Sequence, residues 1–171
     1  LVWTMQSLNV KENQRIFTNF GNSSMGYALP AAIGAAVDTD KTVVCIDGDG
    51  GFQMNIQELA TVMHHNLPIK IFIYNNGGYL TIKQTQELGF NSRIMGSNKK
   101  TGLSFPNYKL ISDSYKIKYY KIDNHNKLKK NLYKILNFKG PVICELIMDN
   151  AQEQMPKAIN KRNRDGQSEA T

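Results

Sequence analysis

The hydrophobic pattern of this chain alternates short β-branched runs with longer segments of helical period. An apolar run from Thr42 to Ile46 stops at Asp47-Gly48-Asp49-Gly50-Gly51, and a helical pattern begins at Phe52. That helix carries Ile56, Leu59, Ala60 and Met63 at i, i+3, i+4 and i+7, a stripe suited to one face of a sheet, and Pro68 forbids its continuation. A second apolar run, Ile69 to Tyr74, ends at Asn75-Asn76-Gly77-Gly78. Two strands joined by a crossover helix run parallel. Both polar turns are therefore expected at the carboxyl end of the sheet, where ligands of open α/β sheets bind.

The flanking pattern extends this layer. Leu1 to Ser7 is apolar at mixed spacing, a possible helix; Ile16-Phe17-Thr18 reads as a short strand. From Met25, the small residues Ala28, Ala31, Ala32, Gly34, Ala35 and Ala36 read as a closely packed helix with Pro30 in its first turn. Tyr79 to Gln86 opens another helix. Phe105 to Tyr115 is a short helix, Ile117 to Ile122 a strand, Lys127 to Leu136 an amphipathic helix and Pro141 to Met148 the last apolar strand. Five strands, near residues 16, 43, 70, 118 and 143, thus alternate with helices. The pattern predicts one α/β domain over 1–150, a doubly wound, mostly parallel sheet with helices on both faces, followed by a polar tail over 151–171. Glu87 to Ser104 has no period, and is read either as a lid that orders over a bound ligand or as a self-packed turn.

Composition narrows the picture. At 171 residues and 41% hydrophobic content the chain supports one core. No apolar run is long enough to span a membrane, and no signal-type stretch follows Leu1, so a cytoplasmic protein is expected. The net charge of +7 is dispersed over solvated helix faces and the tail, and no RNA motif, zinc pattern or helix-turn-helix signal accompanies it, which argues against nucleic-acid binding. Cys45 and Cys144 fall inside strand runs and read as buried thiols. His64 and His65 occupy the last turn of a helix, where they suit its negative end better than a metal.

The two turns carry the candidate chemistry. Glycines around Asp49 let the backbone approach a large anion, and Asp49 would repel that anion unless a cation lay between them. A carboxylate from one turn, an amide oxygen from the other and a main-chain carbonyl form a hard oxygen set suited to magnesium bridging a diphosphate.

Gly48-Asp49-Gly50, followed after 24 residues by Asn75-Asn76, resembles the signature of thiamine-diphosphate enzymes. The stretch from Gly21 to Gly34 (GNSSMGYALPAAIG) is similar to the same domain of acetolactate synthases, and the resemblance runs from Trp3 to about Pro156. It implies thiamine diphosphate and Mg2+ as cofactors. It implies Asp49 and Asn76 as side-chain metal ligands with the main-chain oxygen of Gly78 as a third, and Gly48 in the turn beside them. Gly50, Gly51 and Tyr79 would offer backbone N–H groups to the diphosphate, the Ser23 carbonyl would meet the pyrimidine amino group, and Met25 would prop the bent cofactor. The activating glutamate belongs to a separate pyrimidine-binding domain of the same or a neighbouring subunit, so no catalytic residue is expected in this chain.

The resemblance further implies a homo-oligomeric enzyme that decarboxylates a small 2-keto acid and joins the resulting carbanion to a carbonyl acceptor. A two-chain 2-keto acid decarboxylase and a non-catalytic nucleotide-binding module are the alternatives. Against the latter, neither G-x-G-x-x-G nor a P-loop lysine follows Ile46. One departure stands out: acetolactate synthases carry a tryptophan on the helix after the Asn-Asn turn where this chain has Thr85, with Thr81 and Ile82 before it. A rebuilt substrate pocket is expected there.

Overall fold

Four strands rich in Val, Ile, Tyr and Phe form a parallel sheet in the order β1-β2-β4-β3: β1 Val43–Gly48, β2 Ile69–Asn75, β3 Lys118–Ile122 and β4 Val142–Ile147. The computed structural model describes residues 1–39 and 41–152, and the backbone of 160–162 and 168–170. Around the sheet lie α1 Val2–Ser7, α2 Ala28–Val37, α3 Asp49–Met54, α4 Leu59–His64, α5 Leu80–Gly89, α6 Tyr108–Ser114 and α7 Leu128–Leu136. β2 is central, and Ile69, Ile71 and Ile73 are fully buried, as an interior parallel strand requires.

Side chains alternate across the sheet, and each face has its own core. On one face Ile69, Ile71, Ile73 and Ile143 pack with Leu29, Ala32 and Ala36 of α2, Phe52 of α3, Leu59 and Val62 of α4 and Tyr108 of α6. On the other, Phe72, Ile122, Val142 and Cys144 pack with Ile135, and Leu128 and Leu132 of α7 close over them. Full burial of each isoleucine contributes about 1.5–3 kcal/mol. Small residues at Ala32 and Ala36 let α2 lie close against the sheet. The expected doubly wound α/β layer is what forms.

Three expectations change. Ile16 to Thr18 is not a strand: no ladder pairs with it among the described residues, and Ile16 and Phe17 stay exposed. Two apolar residues without a partner strand bury too little to fix an extended ladder. The helix after β1 begins earlier, at Asp49, and is not continuous: Asn55 leaves helical geometry at φ −132°, ψ 35°, and a 3-10 turn, Ile56–Glu58, leads into α4. The break rotates the predicted stripe: Leu59 is buried and Ile56 packs against the core, but Ala60 and Met63 are exposed and Val62 is buried instead.

The aperiodic segment is a self-packed turn. α5 extends into it as far as Gly89; Gln86 then bonds the backbone of Met95 and the hydroxyl of Ser97, and Asn98 with Thr101 forms a capping box on the 3-10 turn Lys99–Thr101. In the tail, Asn160–Arg162 and Ser168–Ala170 pair antiparallel. The other tail residues beyond 152 lie outside the described part of the chain.

Candidate functional site

β1 and β2 are adjacent and parallel, in register from Val43 with Ile69 to Gly48 with Tyr74, so the chain leaves both strands side by side. Asp49 is the first residue beyond β1. It is 2% exposed and ties the turns together. Its Oδ1 accepts the Gly50 N–H at 2.8 Å, and its Oδ2 accepts the N–H groups of Gly77 at 2.8 Å and Asn76 at 3.2 Å. The side-chain oxygen of Asn76 accepts the Gly78 N–H at 3.2 Å, folding that amide back toward its own turn. Gly77 has φ +72°, a left-handed conformation that favours glycine.

The electrostatics of this junction are lopsided. Burial pushes the Asp49 carboxyl above its ordinary value, opposed only by backbone N–H groups. Among the described residues neither ion pair involves Asp49. Asp47, two residues earlier on β1, is also pushed up, to about 6, chiefly by burial; the Gly48 N–H pulls it down while Asp49 adds to the rise. A buried and a half-buried carboxylate, with no basic side chain bonded to either among the described residues, form a site that a cation would relieve. The oxygens available, carboxylate, amide and main-chain carbonyl, are those a magnesium ion takes, and no cluster of three His, Cys, Asp or Glu exists among the described residues to suggest a softer metal.

Glycine is required at Gly50 by close approach. A Cβ there would collide with the ring of Tyr79 and come within 2.9 Å of the Met25 methyl. Gly50, Tyr79 and Met25, three residues singled out from the sequence, therefore meet in space. Tyr79 also stacks edge-on to Phe105, with centroids 6.0 Å apart. Its backbone N–H donates to the Ser97 carbonyl at 2.9 Å. A Cβ on Gly51 would strike the Asp47 carboxylate, so this glycine keeps room for that side chain.

Ser23 sits in an exposed loop at φ +48°. Thr81, Ile82 and Thr85 lie exposed on α5, with the Thr85 hydroxyl bonded back to the Thr81 carbonyl at 3.1 Å.

Sequence reasoning missed three residues around the site. Tyr108 is buried on α6 and donates its hydroxyl to the Asp49 carbonyl at 3.0 Å, while its ring meets Phe52 edge-on. Nothing in its spacing marks it; in the structure the Asn107 side chain caps the start of α6. Asn55 donates to the Gly26 carbonyl at 2.7 Å, so the helix break serves to hold the loop that carries Ser23 and Met25. A Cβ on Gly26, at φ +88°, would lie 2.8 Å from the Asn55 amide, and that tightness explains the glycine. Glu145 is a single charge within the apolar run of β4, a signal that could have been noticed, and it bonds Asn75 and Tyr119.

The model of the family described as thiamine pyrophosphate enzyme, C-terminal TPP binding domain, matches residues 1–146. Among curated proteins the chain is similar to the acetolactate synthase large subunit of Porphyra purpurea, 36% identical over 84% of this chain and 24% of that protein. It is also 33% identical to the acetolactate synthase large subunits of Cyanidium caldarium and Lactococcus lactis, over 91% of this chain and 26% of each. The chain thus spans about a quarter of the length of the curated relatives it matches.

Proposed function

Because the chain belongs to the family of C-terminal TPP-binding domains of thiamine pyrophosphate enzymes, we propose that it holds the diphosphate and magnesium end of the cofactor in an acetolactate synthase-like carboligase. In this reading the complete enzyme decarboxylates a small 2-keto acid and joins the product to a carbonyl acceptor. The observation that carries it is the Asp49 carboxylate, buried without a cationic side chain where two glycine-rich turns meet. Bound thiamine diphosphate would supply the electron sink for the carbanion left by decarboxylation.

Asp49 and Asn76 would give side-chain oxygens to magnesium, and Gly78 its main-chain oxygen. The N–H groups of Gly50, Gly51 and Tyr79 would face the diphosphate. Those of Gly50 and Tyr79 are bonded to Asp49 and Ser97, so loading the site shares or exchanges these two bonds. Met25 rests against Gly50, where it can prop a cofactor that enters over the turn. Ser23 would receive the pyrimidine amino group on its carbonyl. Thr81, Ile82 and Thr85 form the exposed side of α5 toward which an acceptor would lie, and the Thr85 side chain leaves more room there than an indole would.

The activating glutamate would come from a pyrimidine-binding domain of the same or a neighbouring subunit in a homo-oligomer. Exposed Phe17, Phe20, Met25 and Tyr27 beside the cofactor loop supply an apolar surface for that contact. The test compares the complete enzyme with the 171-residue chain, each supplied with thiamine diphosphate, magnesium and pyruvate. Carbon dioxide release and carbon–carbon bond formation are expected from the first and neither from the second. Steady carbon dioxide release by the chain alone overturns the reading.

A further inference from the structure

Three strands end in one hydrogen-bonded line on the face that carries the α2 and α6 core. Ile73 of β2 is in register with Glu145 of β4, and Tyr119 of β3 is in register with Ile143. Glu145 therefore has a diagonal neighbour on each side: Tyr119 two positions back on β3 and Asn75 two positions on along β2, all pointing to the same face. The Tyr119 hydroxyl donates to Glu145 Oε2, and Asn75 Nδ2 donates to Glu145 Oε1 at 2.6 Å. The other end of the Asn75 amide, Oδ1, accepts the Gly77 N–H at 3.0 Å. That same N–H also reaches Asp49 Oδ2 at 2.8 Å. The line runs unbroken from Tyr119 through Glu145 and Asn75 to the amide shared with Asp49.

Glu145 is a buried charge, and burying one costs stability unless its hydrogen bonds are well used. The use lies in what a carboxylate cannot do. It only accepts, so the one end of the Asn75 amide that can face it is the NH2 group, and the carbonyl end must then face Gly77. An amide at position 145 would accept either orientation of Asn75, and a hydrocarbon would impose none. Burial and Glu145 hold the Tyr119 hydroxyl well above the usual tyrosine range, so it stays a donor and fills the second oxygen.

We infer that Glu145 is a positioning residue for the cofactor turn: with Tyr119 it fixes the orientation of Asn75, and through Asn75 the Gly77 amide and the oxygens of Asn76 and Gly78 that face a divalent cation. This inference rests on the magnesium-diphosphate reading of the Asp49 site. It gives a role to a charge inside an otherwise apolar strand that touches neither the cation ligands nor the diphosphate turn directly.

The test uses the complete enzyme and two readouts: thermal melting without cofactor, and the magnesium concentration that half-saturates thiamine diphosphate binding, followed by calorimetry. Glu145→Gln keeps the shape of the side chain. It is expected to raise the magnesium requirement about tenfold, the low end for residues that orient ligands through an intermediary, and to change cofactor-free melting little. Tyr119→Phe is expected to shift it in the same direction by less. Asn75→Ser alone is expected to shift it as far as Asn75→Ser combined with Glu145→Gln, because the two act along one line. Should Glu145→Gln fail to fold, Tyr119→Phe and Asn75→Ser still carry the comparison.

A magnesium requirement within about twofold of the unsubstituted enzyme in these variants, with cofactor binding abolished by Asp49→Ala, overturns the positioning role and leaves the site reading intact. A lowered melting temperature with an unmoved magnesium requirement means packing alone, and overturns it too. Unchanged binding in Asp49→Ala itself removes both.

Discussion

The carboxylate of Asp49 accepts the backbone N–H of Gly77 at 2.8 Å, although 28 residues and a complete crossover separate the two. One side chain thus closes the junction of two parallel strands at the proposed cation site. Asp49→Ala is accordingly expected to do more than remove a ligand. It leaves the N–H groups of Gly50 and Asn76 without their acceptor and Gly77 with the Asn75 oxygen alone, at about 1–3 kcal/mol of folding stability, and abolishes magnesium-dependent cofactor binding in the complete enzyme. Calorimetric titration with thiamine diphosphate and magnesium, beside a thermal melt, checks both effects. Unchanged affinity would sink the assignment of this site.

Gly50 leaves room for Tyr79 and Met25. Gly50→Ala places a methyl group against both, and overpacking of this kind costs about 1–3 kcal/mol. The melting temperature should fall, and Tyr79→Ala added to Gly50→Ala should recover part of the loss because the colliding ring is gone. Equal melting of Gly50→Ala and the unsubstituted chain would mean that the ring moves aside freely.

Burial pushes the thiols of Cys45 and Cys144 up to about 12 from an ordinary value of 9.0. Below pH 9 both states hold their protons and the shift contributes nothing to stability. Between about 9 and 12 the unfolded chain releases protons that the folded chain keeps, so stability falls as pH rises, by about 1.4 kcal/mol per pH unit for each cysteine. Urea midpoints measured across this range should decline less steeply for the Cys45→Ala, Cys144→Ala double variant. At pH 8 neither thiol should react with an aromatic disulfide reagent until denaturant is added, and prompt labelling of the folded chain would contradict their burial.

Asn55 ties the helix break to the loop below it. Asn55→Ala removes its 2.7 Å bond to the Gly26 carbonyl and should cost about 1 kcal/mol. Hydrogen exchange should speed up across residues 21–27, while the buried amides of β2 remain protected. Uniform loss of protection through the sheet would show that the contact serves the fold as a whole and not this loop.

The sequence by itself determined the parallel α/β layer and that the two glycine-rich turns lie at one end of it. Apolar β-branched runs stopped by glycine-rich turns fix parallel strands, because only a crossover helix can join them, and the carboxyl ends of β1 and β2 must then carry Asp49 and Asn76 together. These are local signals, written in periods of 2 and 3.6 residues and in turn chemistry. They failed where local pattern lacked a partner: Ile16 to Thr18 has β propensity but no ladder among the described residues, and Asn55 breaks the helix so that Val62, not Ala60 and Met63, turns to the core.

Only the tertiary structure decided how the site is supported. Tyr108 reaches the Asp49 carbonyl from a helix 59 residues away, and Glu145 reaches Asn75 across 70 residues through the register of β2 with β4. No period in the chain encodes such pairs, because they depend on strand order and on diagonal offsets across the sheet. The same holds for Gly50: the sequence marks it as a turn glycine, and the packing of Tyr79 and Met25 against it gives the reason no side chain fits. Long-range hydrogen bonds and close approaches are set by the spacing of strands in three dimensions, so even where a residue such as Glu145 stands out in the sequence, its partners emerge only when the sheet is assembled.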